Sequence, residues 1–307
     1  MNIVVLGGSG FIGSRVSRSL LEAGHRVTTV SRSRLPLMGP GHLHMDITLN
    51  DRHTTMAMLE DADYLFHLAG DSTPGSSRLQ PALEGINNIL PTLQLLEVMQ
   101  QRQRPCLVFV SSGGAIYRNP PETDRFDEES ATLPMSYYGA GKLAVEAFIK
   151  AYNQQTGQRA IILRPANLYG PGQQVKKQFG IVPTLFSAIG EDRPFTIWGD
   201  GTATRDYLFI DDFLDLCHRI VAHEWAPDCL EVFNVGSGEG CSINTLCSLV
   251  ESVTGHTLKR EYVDPRGVDI PAVVLNCDRV HAALGWRAQT PLETGLGATW
   301  LWHQDKR

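Results

Sequence analysis

The sequence predicts an α/β fold, a doubly wound parallel sheet followed by a smaller C-terminal region. Three observations lead there. The first half of the 307 residues alternates short apolar runs with helix-period segments, the pattern of parallel strands joined by crossover helices. A glycine-rich loop, Gly7-Gly8-Ser9-Gly10-Phe11-Ile12-Gly13, joins the first apolar run to the first helical segment. Beyond about residue 166, Gly, Pro and Asp cluster at 170–173, 190–201 and 264–271, so the remainder is richer in loops. The expected division is 1–165 for the first domain and 166–307 for the second, partly interleaved with it.

In chain order, Ile3–Leu6 is a buried strand, Ser14 to Ala23 a helix and Arg26–Val30 a second strand after Gly24. His42–Met45, Tyr64–Leu68, Leu107–Ser111 and Ala160–Leu163 are further short apolar runs of strand length. Between them lie helical segments Asp51–Leu59, Leu83–Gln101 and Tyr138–Gln155. Ile86, Leu90, Leu93 and Leu96 give the second of these an apolar stripe, expected to be mostly core.

The glycine loop adds chemistry to this frame. Gly7 permits a sharp turn, Gly10 lets backbone approach a pyrophosphate, and Gly13 allows helix and strand to pack closely. The free amides around Phe11 and Ile12 and the positive end of the helix dipole then face an anion. A Rossmann-type dinucleotide site is the expectation, set by a strand before the loop and a helix after it. About 20 residues on, where an NAD site usually carries an acid for the ribose 2′-hydroxyl, this chain has Ser31-Arg32. Two guanidinium groups, Arg32 and Arg34, are available there to a 2′-phosphate. The cofactor is therefore NAD or NADP, with a lean to NADP; the competing readings make Arg32 a solvated surface residue or a platform for adenine. Asp46-Ile47 falls where the adenine edge would lie, and Leu68-Ala69-Gly70 offers small residues where the cofactor backbone must pass.

Composition excludes several classes. A net charge of −6 gives no electrostatic reason to expect nucleic acid. No apolar run approaches a membrane span, and no signal-peptide pattern opens the chain. The six cysteines form no Cys-x-x-Cys pair and the ten histidines show no ligand spacing, so reduced thiols, a cytoplasmic location and no metal are expected.

Tyr138 and Lys142 stand four residues apart at the start of a helix, on one face. An ammonium beside a tyrosine favours the phenolate and lowers its pKa, which suits removal of a hydroxyl proton during hydride transfer. The strand ending in Ser111-Ser112-Gly113 belongs to the same constellation.

Taken together, these segments resemble the extended short-chain dehydrogenase/reductases of the NAD-dependent epimerase/dehydratase family. The resemblance runs through the glycine loop, His67-Leu68-Ala69-Gly70, Asn88, Ser111 to Tyr117 and Tyr138-Gly139-Ala140-Gly141-Lys142. It continues through Leu163-Arg164-Pro165-Ala166-Asn167-Leu168-Tyr169-Gly170-Pro171-Gly172, Trp198-Gly199-Asp200-Gly201 and Thr204-Arg205-Asp206-Tyr207. Phe233-Asn234-Val235-Gly236, Arg266-Gly267-Val268-Asp269 and Leu284-Gly285-Trp286 complete it.

The resemblance implies Tyr138 as acid/base and Lys142 as its electrostatic partner and ribose ligand. It places Asn88, Ser111 and Pro165 at the cofactor, Asn167, Arg205 and Arg266 at a nucleotide diphosphate, and Asp269 near the nucleotide's ribose or base. A surface ion pair is the competing reading of Arg205 and Asp206. It also implies a homodimer, with Leu83–Gln101 and Tyr138–Gln155 pairing against a second copy. One departure stands out: where the family carries Ser or Thr four residues before Tyr117, this chain has Gly113. Ser111, Ser112 or a water takes that place, or Tyr138 acts on the sugar directly. Gly114 and Ala115 stand where the dehydratases and decarboxylases carry an acid, so elimination of water lacks its acid and base. The leading expectation is a nucleotide-sugar 4-epimerase; the rivals are an NADPH-consuming keto-sugar reductase and a catalytically silent dinucleotide-binding protein.

Overall fold

A computed structural model describes the chain apart from residues 34–40, 46–51, 102–104, 118–124, 176–179, 266–269 and 306–307. The chain forms two compact units. One comprises Met1–Ile116, Ser136–Arg164 and Leu214–Phe233; the other comprises Tyr117–Met135, Pro165–Phe213 and Asn234–Arg307.

The first unit is built on strands β1 (Asn2–Leu6), β2 (Arg26–Val30), β3 (His42–Met45), β4 (Tyr64–His67), β5 (Cys106–Val110) and β6 (Ala160–Pro165). They pair in parallel throughout, in the order β6-β5-β4-β1-β2-β3. A seventh strand, Leu230–Val235, adds beside β6. It comes from far beyond the last strand expected of the first half, because an apolar stretch among loops gives no local clue to the sheet it joins. Leu6 pairs with Val30 on one side and His67 on the other, so the strand order reverses around β1 and the glycine loop leaves from that switch point.

The helices of this unit include α1 (Phe11–Glu22), α2 (Arg52–Leu59), α3 (Pro81–Glu84), α4 (Leu90–Met99), α5 (Gly113–Ile116) and α6 (Tyr137–Thr156). Helix α6 starts at Ser136, whose Oγ accepts the Gly139 amide at 3.1 Å, and stops at Gly157, which adopts φ +65°. Val145 and Ile149 from α6, with Leu95 and Met99 from α4, pack on Leu65, Leu107, Phe109 and Ile162 of the sheet. Each such side chain contributes about 1.5–3 kcal/mol by leaving water.

The stretch expected as one regular helix, Leu83–Gln101, is interrupted. A π-helical turn, Gly85–Ile89, separates α3 from α4, and the Leu90 amide reaches back to the Gly85 carbonyl. Pro91 explains it: proline has no N–H to donate, and its ring crowds the carbonyl one turn earlier, so the turn widens. The extra residue shifts the phase of the apolar stripe. Ile86 and Leu90, expected in the core, are exposed, while Leu95, Leu96, Val98 and Met99 are buried.

The second unit centres on a strand, Thr204–Phe209, which pairs with Asn167–Tyr169 and Ala272–Val273 in parallel and with Gly240–Ser242 antiparallel. A separate parallel pair joins Phe195–Trp198 to Arg260–Val263. Its aromatic core includes Tyr169, Phe209, Trp286 and Trp300. No helix among the described residues is long and apolar enough to cross a membrane.

Candidate active site

The glycine loop forms a cradle that side chains would fill. Gly7 adopts φ +82°, and a Cβ there would lie 2.8 Å from the Ala69 backbone; one on Gly13 would lie 2.2 Å from the Gly7 carbonyl oxygen. Gly10 caps α1 with no side-chain hydrogen bond, and no acid occupies the first turn. The amides from Phe11 to Gly13 thus open the helix without an intrahelical acceptor, and the dipole's positive end is not neutralised. These features fit a dinucleotide pyrophosphate. Gly70 lies close to Asn88 and Lys142: a Cβ on it would sit 3.9 Å from Asn88 Oδ1 and 4.0 Å from Lys142 Nζ.

Asn88 organises that corner. Its Oδ1 accepts the Asp71 amide at 2.8 Å, and its Nδ2 donates to Ser72 Oγ and Glu84 Oε1, both at 3.0 Å. Ser31 turns its hydroxyl to the Ser33 carbonyl at 2.7 Å. Arg32 pairs with Asp71 at 2.6 Å, although it is 78% exposed. Asp46 and Ile47 lie outside the described residues.

Tyr138 and Lys142 share one face of α6. The Tyr138 amide donates to Ser77 Oγ at 3.1 Å, which anchors the start of the helix. Lys142 Nζ donates to the Val110 carbonyl at 2.8 Å and sits 4.9 Å from the Phe109 ring centre and 5.7 Å from that of Tyr138. Loss of water pushes Lys142 down to about 8, with the Glu84 and Glu146 carboxylates working against it. Burial pushes the Tyr138 hydroxyl up; a hydrogen bond with Ser112 pulls it down and Glu84 pushes it up further. The sequence pattern predicts a Tyr138 lowered by its ammonium neighbour. In the folded protein burial raises it instead; Lys142 Nζ donates to the Val110 carbonyl and lies 5.7 Å from the Tyr138 ring centre.

The two serines divide the work. Ser111 Oγ donates to Glu146 Oε1 at 2.6 Å, in a buried group where Arg164 grips the Glu146 carboxylate through Nε at 3.1 and 3.2 Å and Nη2 at 2.7 Å. That leaves Ser112 as the hydroxyl beside Tyr138, where the pattern leaves Gly113 bare. Glu84, Asp71, Glu146 and Arg164 are the residues that sequence reasoning missed. Glu146 had a signal: it falls four residues after Lys142, as Lys142 does after Tyr138.

In the second unit, Asn167 is exposed and its Nδ2 donates to the Asp206 carbonyl at 3.0 Å. Arg205 Nη1 donates to the Thr204 carbonyl at 2.8 Å. Asp206 is not a surface partner for Arg205. It is buried, and its carboxylate accepts the Ser237 amide at 2.9 Å, Ser237 Oγ at 2.7 Å, the Gly238 amide at 3.2 Å and the Leu275 amide at 3.3 Å. It therefore ties a loop to the sheet. Pro165 is buried at the end of β6. Arg266 and Asp269 lie outside the described residues.

A switch-point glycine loop, a Tyr-x-x-x-Lys pair and a serine at the end of the intervening strand define a dinucleotide-dependent oxidoreductase-type site. The model of the NAD dependent epimerase/dehydratase family matches residues 3–236, and the chain belongs to that family. It is 30% identical over 310 residues to a UDP-glucose 4-epimerase of Mycolicibacterium smegmatis, covering 97% of both chains. Its fold matches a Thermotoga maritima UDP-glucose 4-epimerase solved with UDP-glucose at a TM-score of 0.92 and 30% identity, covering 100% of this chain and 99% of that one. It also matches a Thermus thermophilus UDP-glucose 4-epimerase in complex with NAD at a TM-score of 0.89 and 28% identity, covering 99% of each.

Proposed function

We propose that this protein is a nucleotide-sugar 4-epimerase that transiently oxidises C4 of the sugar. The observation that carries the reading is the cluster of Tyr138, Ser112 and Lys142 in the unit that holds the open glycine cradle. Likeness to UDP-glucose 4-epimerases along the whole chain supports the same reading.

Gly7, Gly10, Phe11, Ile12 and Gly13 would hold the cofactor's pyrophosphate, Leu68, Ala69, Gly70 and Asn88 its passage past β4, and Lys142 a ribose. When bound, the nicotinamide dinucleotide supplies a hydride acceptor and a positive ring charge. Tyr138 takes the proton of the C4 hydroxyl, directly or through Ser112, and later returns it. A neutral phenol at rest suits the returning step, and a neighbouring positive charge favours the phenolate needed for the first. Lys142 holds charge beside the phenol. Asn167, Arg205 and Arg266 bind the nucleotide diphosphate in this reading and Asp269 lies near its ribose or base, so the first unit serves the cofactor and the second the substrate.

Cofactor choice turns on Arg32. Ser31 and Arg32 suit a 2′-phosphate, yet Asp71 already pairs with the guanidinium and sets a carboxylate beside it, so the reading assigns NAD. Leu83, Ile86 and Leu90 are 45%, 57% and 48% exposed, and α6 adds exposed Tyr137 and Phe148. Exposed apolar side chains on both segments favour a homodimer through them. All six cysteines are free thiols, which suits the reducing cytoplasm.

The test is turnover of UDP-glucose and UDP-galactose by purified protein with catalytic NAD. Interconversion without net reduction of the cofactor is expected. Stoichiometric oxidation of NADPH with a keto-sugar, and no interconversion, would overturn the reading in favour of a reductase.

A further inference from the structure

Glu84 is an acid buried next to the proposed proton-transfer pair, and nothing in the chemistry above uses it. It ends α3, immediately before the π-helical turn, and is 5% exposed. Its Oε1 accepts from Asn88 Nδ2 at 3.0 Å, and its Oε2 is buried with no hydrogen-bond partner. A Cβ on Gly141 would lie 2.4 Å from Oε1 and 2.8 Å from Cγ, so the carboxylate rests flat on the backbone of α6, one residue before Lys142. Only a glycine at 141 admits it.

A carboxylate with a single donor is expensive to bury. This one is retained at the point where its charge acts on both members of the pair: it supports the Lys142 ammonium against burial and disfavours the Tyr138 phenolate. Among the other groups facing Lys142, Glu146 acts in the same direction but less strongly. Glu146 on the same helix is gripped by Arg164 from β6, which offsets its charge. From β5 comes the neutral carbonyl of Val110. From β4 comes His67, which burial pushes down to about 3 with the Lys142 charge adding to the effect, so it is uncharged in the working range.

We propose that Glu84 is a positioning residue for this pair: its carboxylate, seated on Gly141 and held by Asn88, places a negative charge against the turn of α6 that carries Tyr138 and Lys142. The inference rests on the reading of Tyr138 and Lys142 as the pair that transfers the proton. Asn88 extends the connection to the Asp71 amide, so the same contacts that hold Glu84 shape the loop after β4.

The test is the pH dependence of NAD binding by the purified protein, with the pH profile of kcat beside it. Wild-type binding should weaken above about pH 8 as Lys142 loses its proton. E84Q keeps the side-chain volume, retains an amide oxygen for the Asn88 contact and removes the charge, replacing the other oxygen by an NH2 group. Its alkaline limb should move down by about one pH unit, which is roughly tenfold weaker binding on that side of the profile. E84D keeps the charge on a shorter stem and should restore much of the wild-type limb. K142M should bind weakly with no limb. If the limb depends on Lys142 and E84Q leaves it in place, or if E84D moves it as far as E84Q, the role of the Glu84 charge is refuted. If K142M retains the limb, the reading of Lys142 itself falls and the inference falls with it.

Discussion

Tyr138 carries the proton in the proposed reaction, and the neighbouring hydroxyls differ in what they are free to do. Tyr138→Phe removes one oxygen and leaves the ring in place, so turnover should fall by about 10²–10⁴-fold with the melting temperature little changed. Ser112→Ala loses a single neutral hydrogen bond, about 0.5–1.5 kcal/mol, and should slow turnover by roughly two- to twelve-fold. An equal loss in both variants would make Ser112 an obligatory relay; steady-state kinetics on a confirmed nucleotide sugar decides. Arg32 offers a second test at this scale. Asp71→Asn removes the carboxylate that holds the guanidinium at 2.6 Å and should strengthen NADP binding roughly tenfold while leaving NAD nearly unchanged. Arg32→Ala should then weaken NADP more than NAD. Titration of both cofactors into each variant checks the pair, and equal effects on the two would show that Arg32 never meets a 2′-phosphate.

Between elements, α6 is locked to the sheet by charge as well as by packing. Arg164 on β6 grips Glu146 on α6, and Ser111 at the end of β5 donates to the same carboxylate. This buried group fixes the helix that carries Tyr138 and Lys142 against the strand ends. Arg164→Met leaves Glu146 buried without its cation and should cost about 3–5 kcal/mol in urea unfolding. A loss below 1 kcal/mol would mean that apolar packing alone sets the helix. The π-helical turn acts at the same scale. Pro91 displaces the helix phase so that Leu95 and Met99 face the core while Ile86 and Leu90 face out.

For the molecule as a whole, that outward apolar surface is the basis of the proposed dimer. Ile86→Glu places a charge in the middle of it, and light scattering should show the mass halving while the circular dichroism spectrum is retained. A wild-type protein already monomeric at micromolar concentration would remove the proposal. Within the first unit, strand order and parallel pairing put the glycine loop, the end of β4 and the end of β5 along one edge of the sheet, where ligands bind in such folds.

What the sequence determined by itself was local. The glycine loop, the parallel strands β1 to β6 and the Tyr138–Lys142 pair depend on residue spacing of a few positions, and turn, strand and helix geometry turn that spacing into shape directly. Only the tertiary structure decided which distant groups meet. It gave the sheet its seventh strand from Leu230–Val235, committed Ser111 to Glu146 and left Ser112 for Tyr138, and paired Arg32 with Asp71. It turned Asp206 inward to hold a loop, and it set Glu84 against Gly141. Burial then reversed the expected direction at Tyr138, since a pKa depends on the water and charge around a group, and those come from chain far away in sequence.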